Sequence, residues 1–124
     1  VSIFKDWILR DLNHVSHAEQ IAYYKNATGH DTLYTKYKNL TWDKPSHTVV
    51  AHLSKDGMMF IHPDPRQARS ITIREAATLM SFPLDFDFIG SNPYCYRMIG
   101  NAVPVLLAKG IAIGIAKELR RDAK

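Results

Sequence analysis

Twelve residues near the end of the chain, Val105 to Ala116, are apolar except for Lys109 and two glycines. They follow Val103-Pro104, a helix start, and the helical pattern continues to about Arg121. A helix apolar on every side has no face to offer water, so it must be covered by something. Gly110 and Gly114 leave room for that cover to come close. The run is short for a bilayer and Lys109 interrupts it, so no membrane span is expected. Whatever this chain folds into, its last helix needs a partner surface.

The rest of the composition says where that partner could come from. With 124 residues, 46% hydrophobic and 10% aromatic, the chain can build a core of its own and has the size of one soluble domain. Its single cysteine excludes a disulfide framework and a multi-thiolate zinc site, and fits a reducing, cytoplasmic compartment. The net charge of +4 is spread evenly along the sequence, with no basic arm or acidic tail. Phosphate contact is permitted, but folding would have to gather the basic side chains. The sequence opens at Val1 with no basic-then-apolar leader, so a signal peptide is not expected. A chain beginning mid-domain would show the same start.

Local signals divide the chain. Ser16 with Glu19 forms a capping box for a helix over about His17 to Asn26, closed by Gly29. Tyr23, Tyr24, Tyr34, Tyr37 and Trp42 alternate with Lys25, Lys36, Lys38 and Lys44, a pattern that suits either a core edge or a phosphate backbone. Residues 47–53 are β-branched and apolar, Asp56-Gly57 is a turn signal, and Met58 to His62 returns, so a β-hairpin is expected over 47–62. Pro63-Asp64-Pro65 then breaks the sheet. Thr72 and Glu75 make a second capping box, opening a short helix to about Met80. Asp85 and Asp87 alternate with Phe86 and Phe88, as in a short edge strand. Asn92-Pro93 starts another short helix, with Gly100 closing it. The fold class expected is α+β: a small antiparallel sheet with several helices, ending in the long apolar one.

No complete catalytic constellation is present. Cys95, in Tyr-Cys-Tyr, has no adjacent Lys or His to lower its pKa and reads as a buried, inert thiol. His14 and His17 could share a helix face, but zinc needs three or four ligands and nothing completes the set. The sequence has no phosphate loop and no Gly-x-Ser-x-Gly elbow.

Two segments carry a resemblance. Arg69-Ser-Ile-Thr-Ile-Arg-Glu-Ala-Ala77, ending in Ser81-Phe82-Pro83, resembles motif IX of the DNA cytosine-5 methyltransferases. Ile99-Gly100-Asn101-Ala102-Val103-Pro104 resembles their motif X, in the right order and at the right spacing. Upstream, Trp42 to His52 and Ile61-His62-Pro63 are similar to the target-recognition region that precedes motif IX. The likeness covers roughly residues 14 to 116.

The resemblance implies a C-terminal fragment of a bacterial-type enzyme, of the kind found in restriction–modification systems. Residues 1–83 would close the recognition domain and residues 84–124 would return to the catalytic domain. That missing N-terminal domain, a Rossmann-like sheet binding S-adenosylmethionine, would cover the last helix. Asn101, Ala102 and Val103 would lie toward the methionine end of the cofactor. Thr48 would contact phosphate in double-stranded DNA, and His52, Ser54 and Lys55 would face base edges or phosphate. Arg69 and Arg74 would brace the recognition domain or neighbour phosphates. The family's nucleophile sits in Pro-Cys-Gln, which Tyr94-Cys95-Tyr96 is not, so the fragment alone is expected to be inactive. The rival expectations are a non-enzymatic DNA-binding module, a decayed methyltransferase remnant, or an interaction domain. In the interaction-domain reading the last helix would mediate self-association, whereas in a fragment the same self-association would be an artefact of truncation.

Overall fold

A computed structural model describes residues 15–34, 37–55 and 57–122. His14, Lys36 and Asp56, which entered the expectations above, lie outside the described residues. Four α-helices are described: α1 (His17–Thr28), α2 (Ile73–Leu79), α3 (Asn92–Asn101) and α4 (Val105–Asp122). The chain divides into two compact units, one of residues up to Thr48 with Lys55–Ile71, the other of Val49–Ser54 with the residues from Thr72 onward.

In the first unit, α1 begins where the capping box requires. The Ser16 hydroxyl accepts from the Glu19 amide at 3.3 Å, and the Glu19 carboxylate accepts from the Ser16 amide at 2.9 Å. Gly29 stops the helix in the left-handed region at φ +72°, its amide donating to the Lys25 carbonyl at 2.8 Å. The unit's centre is a stretch of three consecutive buried residues, Phe60, Ile61 and His62. Ile61 bridges Asn39 in parallel and Ser70 in antiparallel fashion. Its amide donates to the Lys38 carbonyl and its carbonyl accepts from Leu40, both at 2.9 Å. On the other side, Ile71 donates to Phe60 and His62 donates to Arg69, again at 2.9 Å. Tyr37 and Ile61 are buried together, with Tyr23, Tyr24, Met58 and Ala68 packed against them.

The hairpin expected over 47–62 does not form among the described residues. Residues 47–50 have no regular structure, 51–55 are turns, and Gly57–Met59 is a 3-10 turn. The second half of the expected hairpin does pair, but with 38–40 and 69–71. The reason is burial on both faces: a hairpin strand alternates sides, whereas Phe60, Ile61 and His62 are all enclosed, which suits a central position between two neighbours. Pro63 to Pro65 does end the paired stretch, with Asp64 capping the 3-10 turn Pro65–Gln67 and Ala68 left-handed at φ 44°.

In the second unit, Thr72 and Glu75 cap α2 reciprocally, with the Thr72 amide donating to the Glu75 carboxylate at 2.7 Å. α2 packs on α3, and the small Ala76 and Ala77 bring the two helices close. Cys95 and Ile99, one turn apart on α3, are buried with Leu53 and Met80. After α2 the chain turns through Ser81 at φ 55°. Phe82, Phe86 and Phe88 then form a cluster with ring centroids 4.9 to 5.3 Å apart. Residues 84–88 are turn and irregular backbone rather than the edge strand expected there, because these three rings gather on one another instead of alternating sides.

α3 runs one residue past Gly100, and Ala102, extended at ψ 152°, breaks it from α4. The first amides of α4 are satisfied from the end of α2: Val105 donates to the Met80 carbonyl and Leu106 to the Ser81 hydroxyl, both at 3.1 Å. Beyond that start, every residue from Leu106 to Arg121 is exposed. By length and composition alone, the stretch Asn92–Arg121 is long and apolar enough to cross a membrane. Replacing Ser81 by Ala removes the cap on α4 and is expected to cost about 1 kcal/mol, read as a lower unfolding midpoint in urea.

Candidate nucleic-acid and cofactor surface

In the first unit, Thr48 and Lys55 are exposed. Arg69, by contrast, is tied into the chain: its Nε donates to Gln67 Oε1 at 2.8 Å and its Nη1 to the Ser70 carbonyl at 3.0 Å. The Arg69 carbonyl also receives the His62 amide. This side chain therefore holds together the turn that follows the buried stretch. Arg66 closes on Asp64 through two hydrogen bonds of 3.0 and 3.2 Å, and that pair holds the Asp64 carboxyl below its ordinary range.

His47 and His62, expected at the two ends of the hairpin, belong to the same unit. The His62 Nδ1 accepts from the Asp64 amide at 3.1 Å, which leaves the neutral ring carrying its proton on Nε2. Trp42 meets that ring edge-on with centroids 5.6 Å apart while remaining 78% exposed. His47 stacks on Phe60 at 4.4 Å and is hydrogen-bonded to the Met59 backbone. Its Nε2 is enclosed without a hydrogen-bond partner among the described residues, as is Asn39 Oδ1. Burial lowers the His47 pKa from its ordinary 6.5, since charging the ring there would strand a cation away from water.

In the second unit, Val50 to Leu53 form a turn closed by the Leu53 amide on the Val50 carbonyl at 3.0 Å. His52 is exposed in that turn and Ser54 is half-buried beside it. Arg74 is exposed on α2, outside the buried face made by Ala76 and Ala77. Asn101 ends α3 with its carboxamide exposed, and the extended Ala102 and the 58% exposed Val103 follow it. Thus Asn101, Ala102 and Val103 form one continuous surface, while Arg74, His52 and Ser54 belong to the same unit. Cys95 is buried, its Sγ facing the Gly90 carbonyl at 3.7 Å. Such a thiol is a packing residue, not an accessible nucleophile.

One residue was undervalued in the sequence. Gly100 reads there as a helix terminator, yet it sits inside α3 against the backbone of Val50 and Ala51. The available signal was a glycine within a helical pattern, which often marks close backbone approach.

The chain is similar to known proteins. The family model of the C-5 cytosine-specific DNA methylases matches residues 5–117. The chain is 40% identical over 107 residues to the type II methyltransferase M.Bpa9945I of Bacillus paralicheniformis, covering 82% of this chain and 24% of that protein. It is 49% identical over 77 residues to M.AgeI of Thalassovita gelatinovora, covering 62% of this chain and 18% of the relative. A shorter relative, the type II methyltransferase M.AquIB of Picosynechococcus, is 35% identical over 99 residues, which is 71% of this chain and 68% of that one. The chain thus spans about a fifth to a quarter of the first two relatives and about two thirds of the third. No solved structure gives a significant match.

The half-buried His47 sets a pH dependence. Its folded pKa lies below the unfolded 6.5, so the folded chain binds fewer protons in the window just under that value. The contribution to stability is complete above 6.5 and is lost as pH falls below it. Lowering pH from about 7.5 to about 5.5 is therefore expected to reduce the urea midpoint more in the wild-type chain than in His47→Phe, which keeps the stacked ring without the titration.

Proposed function

We propose that this chain, which belongs to the C-5 cytosine-specific DNA methylase family, is the C-terminal portion of a DNA (cytosine-5-)-methyltransferase. The observation that carries the reading is α4, eighteen residues long, apolar through its middle and exposed from Leu106 to Arg121. Leaving such a surface in water is unfavourable by about 25 cal/mol per Å² of apolar area. The helix starts four residues after Asn101, so in this reading the surface it needs lies beside the cofactor end. In this reading the cover is the Rossmann-like catalytic domain, and the whole fold is α+β, with residues 1–83 closing the recognition domain and 84–124 returning to the catalytic one. A protein surface suits α4 better than a bilayer, because Ala102 breaks the apolar stretch and Lys109 stands in the middle of it.

The family's cofactor is S-adenosylmethionine, which supplies the methyl group placed on carbon 5 of a cytosine. The residues present fit its methionine end. The exposed Asn101 carboxamide offers both donors and an acceptor to an amino acid's two charged groups, and Val103 presents an apolar wall beside it. The nucleophilic thiolate that attacks the flipped-out base belongs to the Pro-Cys-Gln segment, which this sequence lacks. Toward DNA, in the first unit Thr48 would take phosphate and Lys55 a base edge or phosphate; in the second, His52 and Ser54 would take base edges or phosphate, and Arg74 would brace the recognition domain or neighbour a phosphate. Arg69 would act as a brace, in keeping with its two internal hydrogen bonds. The protein would work in the cytoplasm on double-stranded DNA.

The isolated 124 residues are expected to incorporate no tritiated methyl group into DNA, whereas the protein that also carries the Pro-Cys-Gln segment does. In that longer protein, Asn101→Ala is expected to weaken S-adenosylmethionine binding about tenfold, the loss of roughly one charge-assisted hydrogen bond. Turnover by the short chain, or a longer protein without methyltransferase activity, would count against the reading.

A further inference from the structure

In the unit that contains Val49–Ser54 and α2 to α4, one backbone atom has two duties. The Val50 carbonyl oxygen closes the 50–53 turn by accepting from the Leu53 amide at 3.0 Å. The same oxygen rests on α3: a Cβ placed at Gly100 would lie 2.5 Å from it, and 3.1 Å from the neighbouring Ala51 carbonyl oxygen. Atoms do not approach so closely, and both neighbours are backbone, so no side-chain rotation could make room. The turn is thus seated on the bare face of Gly100 and anchored by Leu53, which is 2% exposed. Its third residue, His52, is exposed.

We propose that Gly100 is a positioning residue for DNA recognition, acting through the 50–53 turn to fix where His52 is presented. The inference rests on the reading of this turn as part of a methyltransferase's DNA-facing surface. Hydrogen bonds to base edges or phosphates tolerate errors of only a few tenths of an ångström. A methyl group at Gly100 displaces the carbonyl that closes the turn, and therefore displaces the imidazole it carries. The next residue along α3 is Asn101, so the seat of the turn and the residue assigned to the cofactor are consecutive on one rigid helix. Recognition and cofactor contact are held in a common register by that adjacency.

The test is a double-mutant cycle in the natural protein that carries these residues, using a duplex with the site methylated in its host's DNA, found by bisulfite sequencing. Dissociation constants are measured by fluorescence anisotropy for the wild type, Gly100→Ala, His52→Ala and the double variant, with melting temperatures alongside. Each single change is expected to weaken binding about tenfold and the double change hardly more, because both act on one contact. A double variant weakened about a hundredfold, or a His52→Ala variant that binds like the wild type, overturns the inference. Should Gly100→Ala fail to fold, Leu53→Val takes its place in the cycle, with the same non-additivity expected. A host genome with no cytosine methylated by this protein would instead sink the enzymatic reading, which separates the two failures.

Discussion

A peptide segment buried on both sides must find partners for its amides and carbonyls, and in this chain that demand falls on Phe60, Ile61 and His62. An orphaned buried backbone group costs about 1–3 kcal/mol, so three consecutive enclosed residues cannot stand without pairing. Lys38 to Leu40 supply one edge and Arg69 to Ile71 the other. From this requirement the rest of the first unit follows. Tyr37 is carried inward beside Ile61, Tyr23 and Tyr24 of α1 close over them, and His62 accepts the Asp64 amide at the end of the stretch. Arg69 then secures the returning edge with its guanidinium, so a residue first read for its charge is used for its geometry.

What could be read from the sequence follows from how far each interaction reaches. Ser16–Glu19 and Thr72–Glu75 are interactions across three residues, so both helix starts were legible, as was the stop at Gly29. Cys95 as a buried thiol was legible too, because nothing beside it could activate it. The hairpin was not. Asp56-Gly57 and the β-branched run before it satisfy every local rule for a hairpin, but pairing depends on which distant edge is available. Leu40 and Ser70 stand about 21 and 9 residues from Ile61, a separation no turn signal encodes. The same limit explains the loop of Phe86 and Phe88, whose alternation with aspartates suggests a strand until the two rings close on Phe82.

The candidate site divides in the same way. Asn101 and the segment Trp42 to His52 could be singled out as candidates because their residue types sit in recognisable order. The relation between them could not, because it passes through a carbonyl oxygen and an absent side chain. Gly100 carries no chemistry of its own. Its importance appears only when the turn closed by Val50 is seen lying where a Cβ would be.

α4 shows the complementary case, a feature read correctly from sequence whose meaning lies outside it. Its start is well made, with Met80 and Ser81 satisfying the first amides, so the helix is held in place by the unit it leaves. Its flanks are exposed: Leu106, Ile113 and Leu119 are 68%, 49% and 65% exposed, and among the described residues nothing lies within 4 Å of where Gly110 and Gly114 would carry a Cβ. An apolar helix anchored at one end and exposed along its length would gain stability from a surface that covers it. Because α3 and the Val50 turn share the unit that anchors it, docking α4 would fix the recognition turn and Asn101 in the same step. Association of the two parts would then assemble the DNA-facing and cofactor-facing elements together, without a separate alignment of each.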